Sequence, residues 1–185
     1  MSSSPSRRVL MSGASVEAAI ARLSDGIVQR YAEGSRVVLI GIQTGGIHLA
    51  RQLAGHLARA WQSEVPVGQL DVAMHRDDLD QQLAPKVHPT SVPFDISGKH
   101  VILVDDVLCS GRTSRAALDA LNDLGRPQRV ELAVLIDRPH RELPIQADFI
   151  GEHVATEPGD RVDVQLTEGN GASQVFIESP SPRSP

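Results

Sequence analysis

The stretch Val101-Ile-Leu-Val-Asp-Asp-Val-Leu-Cys-Ser-Gly-Arg-Thr-Ser114 narrows the fold more than any other part of the chain. His100 to Val104 is the apolar, β-branched run that a parallel strand covered on both faces requires, and Asp105 and Asp106 stand where such a strand ends. Cys109, Ser110, Gly111, Arg112 and Thr113 then form a compact turn. After it, Ala117, Leu118, Leu121 and Leu124 recur at helical spacing until Gly125 and Pro127 close the helix. Strand, acidic pair, small turn and helix in that order predict an open α/β sheet with a site at its carboxyl edge.

The chemistry of that edge follows from its residue types. A helix N-terminus offers unpaired N–H groups and a partial positive charge, so the turn suits a phosphate, each such contact stabilising by roughly 0.3–1 kcal/mol at an exposed site. Gly111 lets the backbone approach the anion, and the Ser110 and Thr113 hydroxyls add donors. Two adjacent carboxylates above a phosphate cup call for hydrogen-bond donors or a hard cation. Sugar hydroxyls supply the first and Mg²⁺ the second, held by Asp105 and Asp106 through water. A ribose 5-phosphate with a metal satisfies the whole arrangement; solvated helix-capping carboxylates are the competing reading.

The rest of the chain alternates strands and helices. Val16, Ile20, Leu23, Ile27 and Tyr31 predict a helix from about Ser15 to Glu33 closed by Gly34, followed by a buried strand from Arg36 to Ile42. Ile47 to Trp61 reads as a helix and Val67 to Met74 as a strand. Residues 76–93 are polar, hold three prolines and show no apolar period, which predicts a long functional loop. Val130 to Ile136 is the next strand, with short strands near Phe149, at Val162–Leu166 and at Val175–Ile177, and a hairpin at Glu168-Gly-Asn-Gly171. The expected fold is therefore α/β, a parallel sheet flanked by helices with a small β-rich hood. At 185 residues the chain makes one domain, residues 9–178, able to bury roughly 70% of its unfolded surface. The Ser- and Pro-rich ends, residues 1–8 and 179–185, are expected to be disordered.

Two further segments meet the same sheet edge. Gly41-Ile-Gln-Thr-Gly-Gly46 joins a strand to a helix and presents backbone donors, but Ile47 stands where a nucleotide-binding P-loop has lysine, so an NTPase is excluded. An ordinary strand-to-helix turn is its competing reading. His75-Arg76-Asp77-Asp78 leaves the third strand at the start of the long loop, where a segment can fold over a bound substrate; solvated loop charge is the alternative. A single cysteine, Cys109, rules out an internal disulfide framework and fits a reducing cytoplasm. No run of about 18 apolar residues is present, so no membrane association is expected.

Val104-Asp-Asp-Val-Leu108 with Gly111-Arg-Thr113 closely resembles the phosphoribosyl-pyrophosphate signature of type I phosphoribosyltransferases. His75-Arg-Asp-Asp-Leu79, Gly125-Arg-Pro127, Leu132-Ala-Val-Leu-Ile-Asp-Arg138 and His140-Arg-Glu-Leu-Pro-Ile145 resemble the pyrimidine operon regulator and uracil phosphoribosyltransferase (PyrR) family, from Val9 to Ile177. The resemblance implies a type I phosphoribosyltransferase fold and transfer of phosphoribose from phosphoribosyl pyrophosphate to uracil, giving UMP, with Mg²⁺. It implies Asp105 and Asp106 at the ribose, residues 109–113 at the 5-phosphate, and Thr44, Gly45, Gly46 and Arg76 at the pyrophosphate, with Thr44-Gly45 as a strained, sometimes cis peptide. Asp137 and Arg138 belong to the segment that would border the base, with Val107 and Ile136 as its apolar face. It further implies uridine nucleotides as ligands, a homodimer or dimer of dimers, and leader RNA as a partner. The family carries Lys-Thr-Arg-Gly where this chain has Gln43-Thr-Gly-Gly46, so both cations are lost and the leaving pyrophosphate must find positive charge in Arg76 or Mg²⁺.

Two other functions stay in view. An RNA-binding regulator needs a basic face, whereas 23 acidic against 18 basic residues give a net charge of −5; Arg138, Arg141 and Arg22 are the cations available for such a contact. A purine phosphoribosyltransferase would share the ribose-phosphate motif and differ around the base.

Overall fold

The computed structural model describes residues 6–73, 89–167 and 173–180. Eight strands and three α-helices follow in the order β1 (Ser6–Met11), α1 (Gly13–Arg30), β2 (Val37–Ile42), α2 (Gly45–Trp61), β3 (Val67–Leu70), β4 (His100–Leu108), α3 (Arg112–Leu121), β5 (Arg129–Asp137), β6 (Phe149–His153), β7 (Arg161–Gln165) and β8 (Gln174–Ser179). Strands β3-β2-β4-β5-β6 form an entirely parallel sheet, and β1-β8-β7 a separate antiparallel one.

Alternation along the parallel strands divides the core in two. Leu39, Ile102, Val104, Ala133 and Leu135 point to one face, where they meet Val16, Ile20, Leu23 and Ile27 of α1 and Leu49, Leu53 and Leu57 of α2. Val38, Ile40, Val101, Leu103, Leu132 and Val134 point to the other, under Ala116, Ala117, Ala120 and Leu121 of α3 and Ile96. With aromatic residues at 3% of the chain, both layers are mainly aliphatic, Phe149 being the aromatic side chain buried in the first. No described helix is long and apolar enough to cross a membrane.

Several boundaries differ from expectation for local reasons. The first helix starts at Gly13 because Ser12 caps it, accepting from the Ser15 amide, and ends at Arg30 because Tyr31 turns to extended geometry. Gly34 is not its cap: a side chain there would collide with the Trp61 ring, whose indole N–H donates to the Tyr31 carbonyl. The helix after the signature stops at Leu121 and buries Ala116, Ala117, Ala120 and Leu121, so Leu118 on its other face and Leu124 beyond its end are exposed rather than buried. Ser6–Arg8, expected to be disordered, pair in register with Ser179–Ile177 of β8, so both supposed tails begin as sheet. The third strand ends at Leu70, and Met74 and most of the long loop lie outside the described residues, as does the 168–171 turn, although β7 and β8 on either side of it do pair antiparallel.

At the amino edge of the parallel sheet one charge is buried. The Glu131 side chain is 2% exposed and its carboxylate accepts from the Arg30 guanidinium and the Tyr31 hydroxyl, which compensates the desolvation. Burial, and after it the bond to Glu131, pushes the Tyr31 phenol up from 10 to about 12. A proton held more tightly in the folded state favours folding below pH 10 and ceases to do so as the pH rises through about 12. Tyr31→Phe is expected to cost about 1.5–3 kcal/mol at neutral pH, the range for a hydrogen bond to a charged group, and to lessen the loss of stability between pH 10 and 12. Urea denaturation across that range measures both.

Candidate functional site

The site begins where two neighbouring strands stop at different heights. β2 pairs with β4 as far as Gly41 opposite Val104, whereas β4 runs on to Leu108 beside β5. Asp105 and Asp106 are therefore not the end of the strand, as expected, but part of an overhang with a partner on one side only. The chain leaving β2 turns into the vacated space. Its Gln43, Thr44 and Gly45 line a cavity of about 670 Å³ with Asp105, Asp106, Val107, Thr113 and His48.

Glycine makes this close approach possible. A Cβ on Gly45 would lie 2.0 Å from the Asp106 Oδ2, and one on Gly46 would lie 2.1 Å from the Val104 carbonyl oxygen. The loop after β2 thus touches the acidic pair directly. Its cis peptide joins Gln43 to Thr44, one bond before the Thr44-Gly45 bond expected.

The two aspartates are organised by their own backbone. Asp105 is 6% exposed and accepts from the Asp106 amide at 2.9 Å; Asp106 accepts from the Val107 amide at 2.8 Å. Burial pushes the Asp106 carboxyl above the ordinary range, and the Asp163 carboxylate pushes the same way, against the hydrogen bonds from Asp105 and the backbone. A cation or sugar hydroxyls arriving there would relieve both effects.

The turn after β4 is held from behind. Gly111 adopts φ +92 and begins α3, and the Ser110 carbonyl accepts from the amides of Glu142 and Leu143 at 3.0 and 3.1 Å. The Arg141 guanidinium donates to the carbonyls of Cys109, Arg138 and Ile145 and pairs with Asp137, while Arg112 pairs with Glu142 at 2.8 Å. Thr113 of this turn faces the cavity.

Some expected residues do not join the group. Ile136 is fully buried in the core and offers no face to a ligand. Asp137 and Arg138 line a different cavity, of about 710 Å³, with Arg141, Ile150 and His153. The cations named for RNA are engaged within the fold. Arg138 is 8% exposed and donates to the Thr156 hydroxyl and the Asp160 carbonyl, Arg141 serves the turn, and Arg22 holds the Gly151 carbonyl and Glu152. Arg76 lies outside the described residues.

Other residues were missed. Another wall of the cavity is β7, from Arg161 to Gln165, with Leu166; its Val162, Val164 and Leu166 are half-buried and, like Val107, pack against the core beneath. The alternation Val162-Asp-Val-Gln-Leu166 marked this strand in the sequence but carried no sign of what it would cover. His48 enters from the first turn of α2, and nothing in its local sequence singles it out.

A carboxylate pair on a strand overhang, a glycine loop against it and a turn opening a helix define an α/β protein built around a phosphorylated sugar. A family model described as a phosphoribosyl transferase domain matches residues 10–160. The proteins named Bifunctional protein PyrR from Chloroflexus aurantiacus and from Listeria monocytogenes serotype 4a are 49% and 46% identical, over 91% of this chain and 93% and 94% of theirs. Among solved structures, a hypoxanthine-guanine phosphoribosyltransferase from Bacillus anthracis superposes with a TM-score of 0.63 at 20% identity, over 84% of this chain and 86% of that one, a likeness of fold. The chain belongs to the phosphoribosyltransferase family, on its PyrR branch.

The glycines separate packing from propensity. Gly46→Ala forces a methyl against β4 backbone and is expected to destabilise by about 1–3 kcal/mol. Gly55→Ala, in α2 with nothing within 4 Å, is expected to stabilise by about 0.5–1 kcal/mol. Thermal denaturation of the pair checks the signs.

Proposed function

We propose that the protein transfers the 5-phosphoribosyl group from phosphoribosyl pyrophosphate to uracil, giving UMP and pyrophosphate. The observation that carries this reading is the contact between the Gly45 loop and Asp106 within one cavity that also includes Thr113. One cavity thus joins an amide-bearing loop, an acidic pair and the first turn of a helix, the three kinds of group that a pentose with a phosphate at each end would use.

The roles follow from chemistry at each position. The turn from Cys109 to Thr113 takes the 5-phosphate on the first amides of α3, with Gly111 giving access. Asp105 and Asp106 accept from the ribose hydroxyls and fix the sugar so that C1 faces the incoming base. Uracil lies between Val107 and the Val162–Leu166 wall, an apolar slot whose strand β7 is at the edge of its sheet and so has backbone donors and acceptors to spare. As the bond from C1 to pyrophosphate lengthens, the sugar gains oxocarbenium character, and the buried Asp105 and Asp106 carboxylates stabilise it.

A metal fits the donor set. Among the described residues no group of three or more His, Cys, Asp or Glu side chains is arranged to hold an ion, but Mg²⁺ takes one or two carboxylates and completes its shell with water and substrate phosphates, as Asp105 and Asp106 allow. When bound it would neutralise charge on the leaving pyrophosphate. Arg76 is proposed to add to this from the loop that follows β3. Because Arg138 is buried and Arg141 is tied to the turn, the catalytic reading is better supported than an RNA contact through them; Arg22, bonded to Gly151 and Glu152, keeps half of its side chain exposed.

A nucleobase screen with phosphoribosyl pyrophosphate and Mg²⁺ tests this: UMP is the expected product, and turnover of hypoxanthine or guanine alone would overturn the pyrimidine assignment. Asp105→Asn combined with Asp106→Asn is expected to lower kcat/KM by at least about 100-fold, the scale of losing preorganised charge stabilisation, while circular dichroism stays unchanged.

A further inference from the structure

Among the described residues, the loop at the pyrophosphate end of the cavity brings no charged side chain, and His48 lines the same cavity. The loop after β2 offers Gln43, Thr44 and Gly45, none of them charged. The carboxylates facing the same space are Asp105, Asp106 and Asp163, and its one arginine among the described residues is Arg161. A trianionic leaving group needs hydrogen-bond donors within its own reach, and the carboxylates supply none.

The ends of the cavity can be told apart. β7 begins near the end of β5, since the carbonyl of Asp160, just before Arg161, accepts from Arg138. It finishes near α2, since Gln52 donates to the Thr167 carbonyl at 3.4 Å. Arg161 therefore stands at the end away from the Gly45 loop. His48 stands at the loop end, half-buried, in the first turn of α2, three residues after Gly45 and four before Gln52. Both protonation states of an imidazole keep at least one N–H donor, so this side chain can serve an oxyanion over a broad pH range. The first-turn amides of the 17-residue α2, which have no acceptor within their own helix, lie at the same end.

We propose that His48 contacts the pyrophosphate group of the substrate and of the released product, supplying the side-chain donor that the preceding loop lacks. The inference rests on the phosphoribosyl transfer proposed above. It separates two ligands that share every other part of the site: UMP has the ribose and 5-phosphate but no pyrophosphate.

Calorimetry with Mg²⁺ on the full chain compares phosphoribosyl pyrophosphate, inorganic pyrophosphate and UMP, for the wild type and for His48→Phe and His48→Ala, two variants that remove the donor and keep a helix-compatible residue. The expected result is a loss of about tenfold or more in affinity for both pyrophosphate ligands, as for a hydrogen bond to a charged group, with UMP unchanged. Equal weakening of all three ligands, or no change in any, would overturn the role of His48 while wild-type turnover of uracil left the transfer reading standing. A wild-type protein that binds neither phosphoribosyl pyrophosphate nor UMP would overturn both. Variants of which neither folds would show that His48 serves the fold, which also overturns the proposal.

Discussion

The contact on which the site depends is that between the Gly45 backbone and the Asp106 carboxylate, in the gap that opens where β2 stops and β4 continues. With another strand beside Asp105–Leu108, these carboxylates would be closed in and the loop displaced. With a side chain at position 45, Asp106 would have to leave its place. Burial of an acidic pair is costly, and the hydrogen bonds that Asp105 and Asp106 accept from the next amide in the chain offset part of that cost. The remaining cost shows as the raised Asp106 carboxyl, whose charged form a cation or sugar hydroxyls would favour.

Around this contact the molecule divides its labour between supports. Arg141 looks from the sequence like an exposed turn cation. In the fold it ties Asp137, Arg138, Cys109 and Ile145 together, and so carries the shape of the segment after β5 into the turn that begins α3. The small sheet does a different task. Arg7 on β1 pairs with Asp163 on β7 at 2.8 Å and lies over the Phe176 ring of β8, so the start of the chain steadies the strand that roofs the cavity. Residues that a reader of the sequence would dismiss as a tail are thus structural.

Much of this was legible beforehand where local chemistry is sufficient. The alternation of Val38, Leu39 and Ile40, and of Val101, Ile102 and Leu103, is that of strands covered on both faces, and it gave the parallel sheet. The Val-Asp-Asp-Val string and Gly111-Arg-Thr113 carry the family signature within ten residues of chain. Boundaries were less legible. Gly34 is read as a helix cap by any local rule, yet it is there because Trp61 lies against it, a contact spanning 27 positions.

Side-chain direction was not legible at all. Ile136 and Asp137 sit side by side at the end of β5, and no local rule says that the first is sealed in the core while the second opens onto a cavity other than the one that Asp106 lines. The sequence by itself determined the order of strands and helices from α1 onward, the acidic pair and the glycines, because periodicity, charge and backbone freedom are properties of a few neighbouring residues. Only the tertiary structure decided that β7 and His48 would wall the same cavity as Asp106, and that Arg138 and Arg141 would be bonded within the fold. These outcomes depend on which distant segments pack together, a choice made by the whole buried surface at once.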